Sequence, residues 1–149
     1  MEEKIKHHTN ALYIGKASGE SMAPLMNAGD KLFVKPSRKN FNLADIVVYY
    51  QDSHLIGHRI LKIYGKYLQT KGDNTPYRDP PITHEHIVGI LERIDGKYGT
   101  LKLSSLYFKY IKWYFFFYSI CTSVGPAWFR RVMTKILRGR KILLRLALF

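Results

Sequence analysis

Between residues 45 and 70 the chain holds three apolar, β-branched runs set almost end to end. They are Asp45-Ile46-Val47-Val48-Tyr49-Tyr50-Gln51, then residues 54–64, then Tyr67 to Thr70. Gaps this short join antiparallel strands, and Gly65-Lys66 fits a tight hairpin turn. Residues 11–17 and 31–35 also read as strands, the second stopped by Pro36. The run His86-Ile87-Val88-Gly89-Ile90-Leu91-Glu92-Arg93-Ile94 reads as the last. Residues 18–30 contain Gly19, Pro24 and Gly29, which predicts turns and a short helix. Residues 36–44 and 72–84 read as loops, the latter holding Pro76, Pro80 and Pro81. The expected fold class is mainly β: a compact domain over residues 8–99, then a helical, apolar-basic extension over residues 100–149.

Charge divides the chain at the same place. Residues 1–100 carry 14 Lys/Arg against 11 Asp/Glu, a net of +3, whereas residues 101–149 carry 10 Lys/Arg and no acid. The first part is an ordinary mixed-charge domain, large enough for a real core. The single cysteine, Cys121, excludes an internal disulfide and a cysteine metal site. Met1 to Lys6 is charged and no apolar run follows it, so no N-terminal signal peptide is expected.

The chemistry-bearing residues fall in three blocks. The first is Ser18-Gly19-Glu20-Ser21-Met22-Ala23-Pro24-Leu25, followed by Gly29-Asp30. A serine becomes a nucleophile only beside a positioned base, and the base needs an orienting partner. The second block, Leu55-Ile56-Gly57-His58-Arg59-Ile60-Leu61, sets a histidine in an apolar strand. His54, on the same strand face, is the competing base. The third block is Thr70-Lys71-Gly72-Asp73-Asn74, with Asp79 beyond it. Asp73 and Asp79 are both candidates to orient the imidazole, and Asp30 reads as a turn carboxylate that fixes the serine loop.

In this order the blocks resemble the S24/S26 superfamily of serine endopeptidases, which contains the type I signal peptidases and the self-cleaving LexA-like repressors. The first block resembles the superfamily's serine motif, the second its general-base strand and the third its Gly-Asp-Asn box. Lysine holds the base position in LexA-like proteins and ordinary bacterial signal peptidases. Here it is His58, as in the endoplasmic-reticulum and archaeal type. The resemblance covers roughly residues 11 to 95 and implies Ser21 as nucleophile, His58 as base and Asp79 as orienter, with Asp73 the alternative. Signal peptidases often add a hydroxyl to the oxyanion hole two residues before the nucleophile. That position is Gly19 here, which leaves Ser18 as the candidate and the backbone N–H of Ser21 as the default donor. The implied chemistry is acyl transfer, which requires no metal or organic cofactor.

Beyond Leu101 the pattern changes. Trp113 to Phe129 is an aromatic stretch of 17 residues without a charge, interrupted by Gly125-Pro126. It is short for a spanning helix, and it also suits an interfacial segment or a soluble helical cap. Val132 to Phe149 reads as a basic amphipathic helix. The expectation is association with an anionic membrane surface through residues 100–149, at the cytoplasmic membrane, with the side of the catalytic domain open. Nucleic acid is the less suited partner, because the tail is dense in Trp, Phe, Tyr and Leu.

The leading expectation is therefore a serine endopeptidase making one limited cleavage in a precursor peptide or protein, in the manner of a signal peptidase. Two alternatives stand beside it. One is a LexA-like self-cleaving or regulatory module, against which only ten residues precede the β domain. The other is a non-enzymatic basic protein that binds membrane or nucleic acid.

Overall fold

The computed structural model describes residues 11–37, 39–97, 99–129, 131–133 and 135. Eight strands form one antiparallel sheet: β1 (Leu12–Lys16), β2 (Lys31–Pro36), β3 (Ile46–Gln51), β4 (His54–Tyr64), β5 (Tyr67–Lys71), β6 (Ile82–Thr83), β7 (Ile87–Gly96) and β8 (Gly99–Lys102). The long helix α1 (Leu106–Val124) follows them. The mainly β class is therefore what the molecule adopts.

The spatial order is β1-β2-β7-β3-β4-β5-β6, with β8 paired to β7. Strand β7 pairs with β3 through Ile87 to Ile90 and with β8 through Arg93 to Gly96, so β8 continues the sheet where β3 leaves it. Strand β4 is shared in the same way. Residues 54–59 pair with β3, and residues 59–64 pair with β5. No strand among the described residues pairs with the other edge of residues 54–58.

The β3–β4 connection is the two-residue turn Asp52-Ser53, both at positive φ (48° and 64°), the geometry that matches the twist of a hairpin. The second hairpin places Gly65 at φ 59°. Residues 18–30 form turns without a helix, and the Ala23–Pro24 peptide is cis. The 72–84 segment is mostly loop, ending in β6 and a single 3-10 turn at His84–His86.

Strand β3 explains the two-sided core. Ile46 and Val48 point into one cluster with Met22, Leu32, Val34 and Leu91, whereas Val47 and Tyr49 point into another with Ile60, Leu68 and Ile87. A strand buried on both faces needs an unbroken apolar run, which is why Ile-Val-Val-Tyr does not alternate with polar residues. Both clusters bury side chains that each contribute about 1.5–3 kcal/mol.

The core runs across residue 99, where the β domain was expected to end. Leu101 of β8 and Phe108, Ile111 and Phe115 of α1 belong to the same cluster as Met22 and Leu25. Ser105 caps the helix, its hydroxyl accepting from the Phe108 N–H at 3.2 Å, and the chain leaves the helix at Gly125-Pro126. The aromatic stretch is thus largely the second half of a helix packed on the sheet. No helix among the described residues is long and apolar enough to cross a membrane. The amphipathic helix expected over Val132 to Phe149 lies almost wholly outside the described residues.

Candidate active site

Ser21 sits at the start of the turn that follows β1. Its neighbour Met22 is fully buried and anchors the turn to the core, and Ala23 N–H donates to the Glu20 carbonyl at 3.0 Å. Asn27 N–H donates to the Asp30 carboxylate at 2.8 Å, so Asp30 ties off the far end of the loop. From the other side Asn74 holds the serine itself. Its N–H donates to the Ser21 carbonyl at 2.7 Å, and its side-chain amide donates to the Glu20 carbonyl at 3.1 Å.

His58 comes from β4, opposite Val47, and is 8% exposed. Its Nε2 lies 2.9 Å from Ser21 Oγ, and its Nδ1 lies 2.7 Å from Asp79 Oδ2. An ionised carboxylate only accepts hydrogen bonds, so Nδ1–H donates to Asp79. That tautomer turns the Nε2 lone pair toward the serine hydroxyl. Three residues far apart in sequence thus form one continuous line.

Asp79 is placed by backbone and side chains together. Its N–H donates to the Thr70 carbonyl at 2.9 Å, ahead of Pro80-Pro81. Thr70 Oγ1 donates to Asp79 Oδ2 at 2.7 Å. The Tyr49 hydroxyl donates to the same oxygen at 3.3 Å and lies 3.2 Å from Thr70 Oγ1. Burial alone would raise the Asp79 carboxyl pKa. The His58 hydrogen bond and charge, with Thr70 and Tyr49, outweigh it and hold the group below its ordinary value. Burial, together with the nearby Asp79 charge, pushes the Tyr49 phenol well up, which keeps it a donor.

Asp73 does something else. It grips Arg59 in a two-pronged pair, Nε to Oδ1 at 2.8 Å and Nη2 to Oδ2 at 2.6 Å. Ser119 of α1 donates to Oδ1 at 3.2 Å, Arg59 Nη1 donates to the Ala44 carbonyl at 2.9 Å, and the guanidinium lies 5.4 Å from the Phe115 ring centroid. Gly72 explains itself by contact. A Cβ there would stand 2.7 Å from the Ser21 carbonyl oxygen and 3.0 Å from His58 Nε2. The three residues of Gly72-Asp73-Asn74 therefore act separately, by close approach, a buried ion pair, and support of the serine turn.

The other candidates lie nearby without joining the line. His54 is exposed, with Nδ1 2.8 Å from the Asp52 carbonyl, and it is His58 that meets Ser21. Ser18 borders the cleft beside Gly19. Lys71 is fully buried, yet its ammonium contacts the Gly72 carbonyl and Thr122 Oγ1, each at 3.2 Å, and turns toward α1. Burial lowers its pKa to about 8 against the pull of Asp73 and Asp79, with Arg59 and Arg78 lowering it further. Tyr49, Thr70, Arg59 and Lys71 were not foreseen as parts of the site. Each sits in a strand pattern that signals burial but not which polar tip meets which.

Ser21 and His58 open on a cleft of about 550 Å³ between the β1 end and the start of β4. Its walls include Ile14, Ala17, Met26, Leu32, Val48 and Ile56. Among the described residues no three His, Cys, Asp or Glu side chains converge as a metal site.

No curated protein sequence matches this chain. A family model described as Peptidase S24-like matches residues 1–94, nearly the whole β domain and all three blocks. The chain therefore belongs to the S24 family of serine peptidases, within the S24/S26 superfamily.

Proposed function

We propose that this chain is a Ser-His-Asp endopeptidase making one limited cleavage in a precursor peptide or protein, in the manner of a signal peptidase. The observation that carries the reading is the line Ser21 Oγ, His58, Asp79 at 2.9 and 2.7 Å. Ser21 Oγ attacks the peptide carbonyl carbon while His58 Nε2 takes its proton. The imidazolium then protonates the leaving amine as the C–N bond breaks. Water attacks the resulting ester, giving its proton to His58, and the acid product and free Ser21 are released. Asp79 holds the imidazole in the required tautomer and stabilises its charged form. The Ser21 N–H is the oxyanion donor in this reading, with Ser18 as a candidate side-chain donor.

The cleft favours an extended substrate. The sheet-edge strand β1 and the unpaired edge of residues 54–58 both border it, so a peptide laid between them gains backbone hydrogen bonds on either side. The resemblance to signal peptidases adds a preference for small residues before the cut.

The family match also favours a second reading, self-cleavage in the LexA-like manner. One experiment separates them. Purified wild type and Ser21→Ala are incubated alone and with a peptide library, and products are read by mass spectrometry. The proposal expects library peptides cut by wild type, and a loss on the order of 10⁶ in turnover for Ser21→Ala and for His58→Ala. Cleavage confined to the chain itself would support the LexA-like reading. Library cleavage by Ser21→Ala at more than a few per cent of the wild-type rate would end the assignment of the nucleophile.

A further inference from the structure

Helix α1 is apolar on two opposite faces. Phe108, Ile111, Phe115 and Thr122 are buried toward the sheet. On the far side Leu106, Tyr110, Trp113, Phe117, Cys121 and Val124 follow at three- or four-residue spacing, the rhythm of one helix face. Leu106, Tyr110, Phe117 and Val124 are 74, 80, 60 and 72% exposed. A solvated helix would carry charge there. Beyond the helix, Trp128 is exposed as well.

We propose that this outer face docks on an anionic lipid bilayer, lying flat at the boundary between headgroups and acyl chains. The charge around it selects that partner. Residues 101–149 hold 10 Lys/Arg and no Asp/Glu, and Lys102, Lys109, Arg131 and Lys135 are exposed beside or beyond the helix. A second copy would bring together two chains each of net charge +13, which repel. An anionic surface attracts the same cations, while Trp and Tyr suit a place where the ring is buried and the polar tip stays wet. Docking is peripheral, since among the described residues no helix is long and apolar enough to cross.

The placement has a consequence for the site. Ser119 bonds Asp73, Thr122 accepts from Lys71, and Ser123 accepts from Arg78 at 3.1 Å, so the helix that meets lipid is bolted to the loop carrying Asp79. The active site therefore sits at a fixed distance from the bilayer, and a membrane-bound precursor would reach it without diffusing through bulk water. The docking itself does not depend on the peptidase reading.

The test is co-sedimentation of the full-length protein with phosphatidylcholine vesicles, with and without phosphatidylserine, at low and high salt. Wild type and Ser21→Ala are expected to sediment with the anionic vesicles at low salt, to release at high salt, and to show a blue shift of tryptophan emission on binding. The double variant Tyr110→Ser/Phe117→Ser changes two exposed side chains and should keep the wild-type circular dichroism. It is expected to bind anionic vesicles roughly tenfold or more weakly. Equal binding to neutral vesicles, wild type remaining in solution, or undiminished binding by the double variant would each overturn the proposal. So would a dimer in solution that the double variant dissociates.

Discussion

Arg59 and Asp73 form a two-pronged ion pair, at 2.8 and 2.6 Å, with both side chains wholly shielded from solvent. The pair crosses from β4 to the Gly72-Asp73-Asn74 turn, and one residue on either side of it stand His58 and Asn74. Its value is positional. It fixes the strand that carries His58 against the turn that supports Ser21. Removing one partner leaves the other charge buried without compensation, which costs about 3–5 kcal/mol. Asp73→Asn is therefore expected to lower the melting temperature strongly. Whatever fraction stays folded should keep most of its turnover. Chemical denaturation paired with activity per folded molecule checks this. A stable but inactive Asp73→Asn would make Asp73 part of the chemistry.

Asp79→Asn should do the reverse. It keeps the loop but replaces an acceptor-only carboxylate by a neutral amide, which no longer fixes the His58 tautomer or stabilises its charged form, so turnover should fall by about 10⁴ with a smaller change in stability. Tyr49→Phe is the finer probe, since it removes one buried donor to Asp79 and keeps the ring. It is expected to cost about 1.5–3 kcal/mol of stability and to reduce turnover far less than Asp79→Asn. Because the Asp79 pKa lies below its ordinary 3.8, its contribution to stability is present above that pH and lost as pH falls through the lower folded value. Acid unfolding of Tyr49→Phe should therefore begin at higher pH than in the wild type.

Lys71 gives a second pH dependence, of opposite origin. Its folded pKa of about 8 lies below its ordinary 10.5, so the unfolded chain binds more protons between those values. Stability should consequently rise with pH from about 8 toward 10 as the folded protein sheds the cost of a buried ammonium. Above pH 10 ionisation of the unfolded-state phenol of Tyr49 works against this, because its folded pKa is raised. Urea unfolding from pH 7 to 10 of wild type and Lys71→Met reads the effect. A slope that persists unchanged in Lys71→Met would place its origin elsewhere.

Ending the chain after Lys102 should not release an independently folded β domain. Such a truncation strips Phe108, Ile111 and Phe115 from the main cluster, leaves Met22 and Leu25 partly uncovered, and removes Ser119 and Thr122 from Asp73 and Lys71. Losses of 2–5 kcal/mol are usual for each large core side chain removed, a total of about the whole stability of a domain this size. The shortened chain is expected to be insoluble or unfolded by circular dichroism. A cooperative, active truncation would show that α1 is a dispensable cover.

Most strands could be read from the chain because a β-branched run bounded by turn residues is a local signal. Strand β4 spans 54–64, as its composition suggests, and β3 and β5 differ from expectation by a residue at one end. Strand β8 was not legible, since Gly-Thr-Leu-Lys has little preference of its own and becomes a strand only because β3 leaves the edge of β7 open to it. Ser21, His58 and Asp79 stand out as candidates through their order along the chain and their resemblance to known motifs. What separated His58 from His54, and Asp79 from Asp73, was hydrogen-bond geometry between residues 14 to 37 positions apart, which no local pattern encodes. The same holds for α1. Its apolar character is plain in the sequence, but which face of it meets the sheet is set by the cluster it shares with Met22, Leu91 and Ile94. Local propensity is written residue by residue. The choice among equally apolar faces, or equally acidic side chains, is made only when distant parts of the chain compete for the same buried space.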